Sequence, residues 1–370
     1  MRINIAASHR FHLLDLAIQL EKQGHTVRFY SYVPPKRAIK FGLKKESCYS
    51  LYFLMMPFLA IVKLSKGADW SLKILFKSLD FCLSHFMKPC DVYIALGAVY
   101  KTSLIYAKKR FDSLTILEWG SKHNDEQQRI LSQVKGIKLQ SEYFKKRAIA
   151  GYELADYIAI PTDHVRQSFI ERGISEQKLI QIPYGVDLSM FTPTELNKTE
   201  QYDMLMVGGW SYVKGCDLLS DFLMESKLTF LHVGPIVNLE FPKFKNMFHI
   251  DSVDQVKLSS YYSKAKIFVL PSRTEGLAMV QLQALACGLP IVCSQNTGGR
   301  DLRNGLTDGK WIVEMKDFTV DELSRCINIA MELAETQLGI RSYTSDNINN
   351  YSWKTYGELY NQRLKSLKKI

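Results

Sequence analysis

The chain has 370 residues, 46% of them hydrophobic, which suffices for two domains of ordinary size and excludes a single small binding module. Lys and Arg outnumber Asp and Glu by 48 to 37, a net charge of +11, so phosphates, nucleic acid or acidic headgroups are the favoured partners. Seven scattered cysteines without a Cys-x-x-Cys pair exclude a disulfide framework and read as reduced thiols of a cytoplasmic protein.

The first residues, Met1 to Ser8, form an apolar run too short for a secretory signal, and Arg2–Ala6 reads as a buried strand. Leu13, Leu16, Ala17 and Leu20 then fall on one face of a helix that Gly24 stops. Further strands are predicted at Val27–Tyr30, Val92–Ala95, Leu114–Glu118, Tyr157–Ile160 and Leu179–Ile182. Between the second and third lies the longest apolar stretch, Leu51–Val62, which contains Pro57 and is well short of the roughly 20 residues that cross a bilayer. Two readings of it stand. It is a core helix, or, with Tyr49–Phe58 beside the basic run Lys36, Arg37, Lys40, Lys44 and Lys45, it lies in an anionic lipid interface.

Residues 192–201 lack apolar period and read as a linker. A second series of strands follows at Met204–Val207, Leu228–Val233, Ile267–Leu270, Ile291–Cys293 and Trp311–Val313, and helices at Asp321–Thr336 and Trp353–Lys368 close the chain. Strands alternating with helices, twice over, predict an α/β fold of two doubly wound parallel-sheet domains. Ligands of such sheets bind beyond the carboxyl ends of the strands, so two facing domains make one cleft.

Two segments carry anion chemistry. After the strand ending at Leu270, the run Pro271-Ser-Arg-Thr-Glu-Gly-Leu-Ala-Met-Val is a loop leading into a helix that starts near Leu277, whose unpaired first amides suit a phosphate. Gly276 admits a close approach to the backbone. Glu275 reads either as a favourable first-turn charge or as an acceptor for sugar hydroxyls. The run Val207-Gly-Gly-Trp-Ser-Tyr-Val-Lys-Gly215 supplies the second segment, in which Lys214 reads as a surface lysine or as a neutraliser of a diphosphate leaving group. Its pair Gly208 and Gly209 lacks the third glycine of a dinucleotide fingerprint. No Asp-x-Asp pair and no metal-ligand spacing occurs, so no metal or other cofactor is expected.

In this order the two segments resemble the family 4 retaining glycosyltransferases of the GT-B fold. His12-Leu-Leu-Asp-Leu-Ala with Gly24-His-Thr-Val, Ala155-Asp-Tyr-Ile-Ala-Ile-Pro161, Lys178 to Asp187, Thr297-Gly-Gly299 with Asp301, and Tyr351-Ser-Trp353 extend the likeness over most of the chain. The resemblance implies two Rossmann-like domains: an acceptor-binding domain over 1–191, joined by the segment 340–370 packing back on it, and a nucleotide-sugar-binding domain over 202–339. It implies donor contacts from Gly208, Gly209, Lys214, Arg273, Glu275, Gly276, the amides of Leu277 and Ala278, and Gln283, with Lys214 on the donor phosphates, Glu275 on the transferred sugar and His123 at the reacting centre.

The sequence departs from the family at three places. Gly209 stands where an arginine is usual, a charge that Arg273 or Arg300 would have to supply. Gln283 replaces a ribose-binding glutamate, and Ala7 and Ser8 replace the glycine-rich first loop. The implied activity is metal-independent retaining transfer of a sugar from a UDP- or GDP-linked donor to a glycan or lipid-linked glycan, in the cytoplasm or on the inner face of a membrane. A nucleotide-sugar epimerase or hydrolase, an inactive binding relative and a basic nucleic-acid-binding protein are the competing readings, and the last lacks any nucleic-acid motif.

Overall fold

The computed structural model describes residues 1–134, 136–193, 195, 201–337, 341–342 and 346–368. Most of the linker read at 192–201, and the boundary read at 339–340, lie outside the described residues.

Two parallel sheets dominate. The first runs β1 (Arg2–Ala6), β2 (Thr26–Ser31), β3 (Cys48–Ser50), β4 (Val92–Leu96), β5 (Leu114–Glu118), β6 (Tyr157–Ile160) and β7 (Leu179–Gln181), in the spatial order β3-β2-β1-β4-β5-β6-β7. The second comprises β8 (Tyr202–Val207), β9 (Phe230–Val233), β10 (Met247–Ile250), β11 (Ala265–Leu270), β12 (Ile291–Cys293) and β13 (Ile312–Glu314), ordered β10-β9-β8-β11-β12-β13. Each sheet reverses its winding once, between β1 and β4 and between β8 and β11, and at such a switch point the flanking loops part to leave a crevice.

The central strands are buried on both faces, which is why they read as near-continuous apolar runs: Ile3, Asn4 and Ile5 of β1 are all fully buried, with Ile3 opposite both Val27 and Val92. Two edge strands, β3 and β10, were not legible in the sequence. Both are short, and β10 turns only Met247 fully inward, so neither presents the apolar run that marks a buried strand.

The first helix, Phe11–Lys22, buries Leu13, Leu16, Ala17 and Leu20 and is followed by Gly24 at φ 85°, a left-handed position suited to glycine. The stretch read as a possible core helix is a helix, Tyr52–Leu64, but it is not a core one. Only its Met55 is buried, while Phe53 is 76% exposed and Leu54 and Met56 stand in solvent as well. It pairs with the helix Asp69–Phe86, whose Trp70, Ile74 and Phe81 are also exposed. Among the described residues no helix is long and apolar enough to cross a membrane. All seven cysteines are free, and five are buried.

The last helix, Trp353–Lys368, lies on the first domain. A side chain at Gly357 would collide with Gln19 of the first helix, Asn361 bonds His25, and Tyr356 and Tyr360 are buried beside that helix.

Candidate active site

The carboxyl ends of β1, β4 and β5 face those of β8 and β11 across a cavity of about 550 Å³. The first domain contributes Phe11, His12, Gly97, Glu118, Trp119 and Tyr184, and the second Gly208, Gly209, Lys214, Glu275, Leu277 and Ala278. Both switch points therefore open on one space.

Lys214 and Glu275 meet in it. The loop after β8 is anchored by Trp210, which is fully buried and donates its indole N–H to the Glu240 carbonyl. That anchor presents Lys214 to the loop after β11, where its ammonium bonds Glu275 Oε1, and Ser272 Oγ donates to the same oxygen at 3.0 Å. The Glu275 amide donates to the Asn296 carbonyl at 2.7 Å, which fixes the turn. An ammonium has three donors, so Lys214 can keep Glu275 and still meet an anion in the cleft. The two side chains are 24% and 18% exposed, so the pair is accessible yet shielded enough for its charges to act on a ligand.

The helix after this loop begins later than the sequence suggested, at Met279 with Ala278 as its cap, because the Ala278 amide donates to the Thr297 carbonyl at 3.3 Å. The first-turn amides at Met279 and Val280 precede the intrahelical bonds, and both residues line the cleft, so the helix end whose amides suit an anion sits two residues further along. The space beside Gly276 is taken up by the first domain. A Cβ there would stand 1.9 Å from the Gly120 carbonyl oxygen and 3.0 Å from Pro161, so what its missing side chain admits is the first domain. The contact is reinforced by Thr162 Oγ1 donating to the Gly276 carbonyl at 3.3 Å, a bond of 3.1 Å between His164 Nε2 and the Glu275 carbonyl, and the Asp163 amide donating to Asp301 Oδ1 at 2.6 Å.

Four residues are placed elsewhere. His123 does not line the cleft; it is 4% exposed, packs against Tyr152 and Phe169, and its Nδ1 accepts from the Asp125 amide as the cap of the helix Asn124–Ser132. Burial holds its pKa below the ordinary imidazole value. Arg273 turns away, forked onto both oxygens of Asp217 at 2.6 and 2.7 Å and lying over the Phe318 ring, so its charge is already matched outside the cleft. Arg300 is likewise spent on Glu314. Neither supplies the charge missing at Gly209. Gln283 sits one helical turn inward, its side-chain carbonyl accepting from the Tyr262 hydroxyl at 2.9 Å.

The structure also brings in residues that sequence reasoning missed. His12, 6% exposed, bonds through Nε2 to Glu118 Oε2 at 2.9 Å, and the other oxygen of Glu118 accepts from Tyr360 at 2.7 Å. With a proton on Nε2, Nδ1 of His12 is left as an acceptor. His12 stacks on Tyr184, another residue of the cleft wall, at 4.2 Å between ring centroids, and the buried Tyr184 hydroxyl has no hydrogen-bond partner among the described residues. A buried donor without a partner is costly. His12 and Glu118 lie 106 positions apart, on a helix and a strand end, and no local motif joins them.

Residues 201–332, which span most of the second domain, match the glycosyl transferases group 1 family. Among curated proteins the chain is similar to sulfoquinovosyl transferase SQD2 of Arabidopsis thaliana, 23% identical over 219 residues covering 55% of this chain and 43% of that one. It is also similar to the GDP-mannose-dependent alpha-(1-6)-phosphatidylinositol monomannoside mannosyltransferase of Mycolicibacterium smegmatis, 22% identical over 236 residues, 55% of this chain and 60% of that one. The chain thus spans about half the length of the curated relatives it matches. Among solved structures, Anabaena HepE in complex with UDP-glucose aligns at a TM-score of 0.66 with 12% identity, covering 99% of this chain and 100% of that one. Sucrose-phosphate synthase of Thermosynechococcus elongatus aligns at 0.66 with 14% identity and 99% coverage of each. The second domain is thus similar to the glycosyl transferases group 1, and the two Rossmann-like domains have the arrangement of GT-B structures.

Proposed function

We propose that this protein transfers a sugar, with retention of anomeric configuration and without a metal, from a UDP- or GDP-linked donor to a glycan or lipid-linked glycan acceptor in the synthesis of cell-surface polysaccharide. The observation that carries the reading is the Lys214–Glu275 pair at the start of the helix Met279–Ala286, open to the cleft between the domains. A diphosphate against Lys214 and the amides of Met279 and Val280 places the departing charge on fixed donors. Glu275 is then in position to accept from hydroxyls of the transferred sugar, and Tyr184 and His12 line the same space from the other domain. Displacement on the front face, with the leaving phosphate helping to deprotonate the acceptor, needs no carboxylate nucleophile.

The same reading puts the protein on the cytoplasmic face of a membrane as a peripheral protein. Its support is the exposed apolar face of Phe53, Leu54 and Met56 next to the exposed cations Lys36, Arg37, Lys40, Lys44 and Lys45, the composition of a segment lying in an anionic interface. The test is nucleoside diphosphate release from a panel of UDP- and GDP-sugars in EDTA. Release without added metal, increased by an acceptor, is expected. Release only with added metal overturns the mechanism, turnover indifferent to every acceptor points to a hydrolase or epimerase, and silence with all donors overturns the reading.

A further inference from the structure

A second cavity, about 700 Å³, adjoins the cleft in the first domain and shares with it the wall formed by Phe11, Leu96 and Gly97. Its far side is apolar, formed by Leu72 and Phe76 on one face of the helix Asp69–Phe86 and by Leu139 and Phe144 opposite. Lys138 is the one lysine or arginine among its lining residues, and the carboxylate of Asp69 lines it as well. Backbone strain gathers around it. Among the described residues four that are not glycine have a left-handed φ: Phe11 at 37°, Lys66 at 52°, Ala98 at 62° and Asp112 at 52°. Phe11 and Ala98 line the cavity and Lys66 adjoins its lining residue Gly67, whereas Asp112 merely caps a helix. Strain of this kind costs stability and persists where a site imposes it. Phe11 is moreover 47% exposed, a large aromatic ring held at the border of two cavities instead of in the core.

The turn between the helices Tyr52–Leu64 and Asp69–Phe86, an apolar hairpin, borders this cavity. Gly67 lines it, and the neighbouring Leu64 and Trp70 are 84% and 55% exposed. An apolar surface outside thus leads to an apolar cavity inside, and the cavity opens past Phe11 on the cleft.

We propose that this cavity is the acceptor site, that it takes an amphipathic acceptor by its apolar chain, and that Phe11 divides that chain from the hydroxyl presented to the donor. The proposal rests on the transferase reading above and adds the chemical class of the acceptor. Aliphatic contact with Leu72, Phe76, Leu139 and Phe144 holds the chain, and Lys138 suits a phosphate where chain and glycan join.

The test needs no knowledge of the donor. Octyl β-D-glucoside, below its micellar concentration, and methyl β-D-glucoside are compared by saturation-transfer NMR on the full chain, with UDP and GDP binding measured alongside. Burial of even three or four methylenes favours the octyl compound by on the order of 100-fold. Leu139→Trp, at a residue 42% exposed, fills the cavity from its rim and is expected to remove most of the octyl signal while nucleotide binding stays unchanged. Phe53→Ser with Leu54→Ser, on the outer face of the hairpin, is expected to leave the octyl signal in place. Equal binding of the two glucosides overturns the proposal, as does an octyl signal that survives L139W and disappears in the hairpin variant. Failure to bind either nucleotide would instead strike the transferase reading.

Discussion

Gly276→Ala is the substitution whose effect follows most directly from the geometry. The backbone at 276 lies outside the left-handed region, so alanine fits its conformation and the second domain keeps its fold. The added Cβ, however, meets the Gly120 carbonyl at 1.9 Å, whereas real Cβ contacts hardly occur below 3.0 Å. Because the obstacle is backbone, the two domain edges must part by about 1.1 Å, the difference between those distances. A misplacement of roughly 1 Å at a reacting centre is enough for about a 100-fold loss of rate. Nucleoside diphosphate release with acceptor present should fall by that order, and the strain should lower stability by roughly 1–3 kcal/mol. UDP or GDP affinity, which the proposed function assigns to Lys214 and the helix start in the second domain, should be unchanged. A variant at the wild-type rate would refute the closed contact at Gly120. A variant that loses nucleotide affinity as strongly as turnover would move the effect from domain closure to the donor site.

Three further outcomes are expected. His123→Ala should lose a helix cap worth about 1 kcal/mol together with packing against Tyr152 and Phe169, and should lower the melting temperature while leaving kcat per folded molecule intact; a large kcat loss at full stability would restore His123 to the chemistry. His232 donates to the Gly208 carbonyl at 2.7 Å, and burial pushes its pKa down to about 4. An unfolded histidine binds its proton below about 6.5, so stability should be full above that pH and fall by roughly 3 kcal/mol between 6.5 and 4. Denaturant titrations across this range should show a slope that His232→Phe flattens, and an unchanged slope would contradict the assignment. Finally, Phe53→Ser with Met56→Ser should reduce sedimentation with phosphatidylglycerol vesicles, and zwitterionic vesicles should bind weakly even the wild type. Equal binding to both vesicle types, or no change in the variant, would remove the membrane from the account.

Legibility in the sequence followed physical distinctness. Interior strands such as β1 and β5, buried on both faces, left apolar runs with the bounds the structure shows, whereas the edges β3 and β10 are half covered and left none. Lys214 and Glu275 were legible because each sits in a local loop-to-helix pattern. His12 with Glu118 was not, since only the packing of the first helix over β5 brings them together. Arg273 misled for the same reason: its partner Asp217 lies 56 positions away, and nothing near it in the chain shows that its charge is matched. The apolar run at Tyr52–Leu64 was visible as a run, but which way it faces is decided by what packs against it. The sequence of His123 resembled a loop at the reacting centre, yet its ring is held inward by Tyr152 and Phe169.

The central claim is that Lys214 beside Glu275 holds a nucleoside diphosphate without metal, and calorimetric titration of UDP and GDP in EDTA tests it most directly. Wild-type protein should bind at least one of the two, and Lys214→Ala should weaken that binding by about 10-fold or more, the loss of one charge-assisted contact. Binding by neither nucleotide, or equal affinity in the two proteins, would contradict the account.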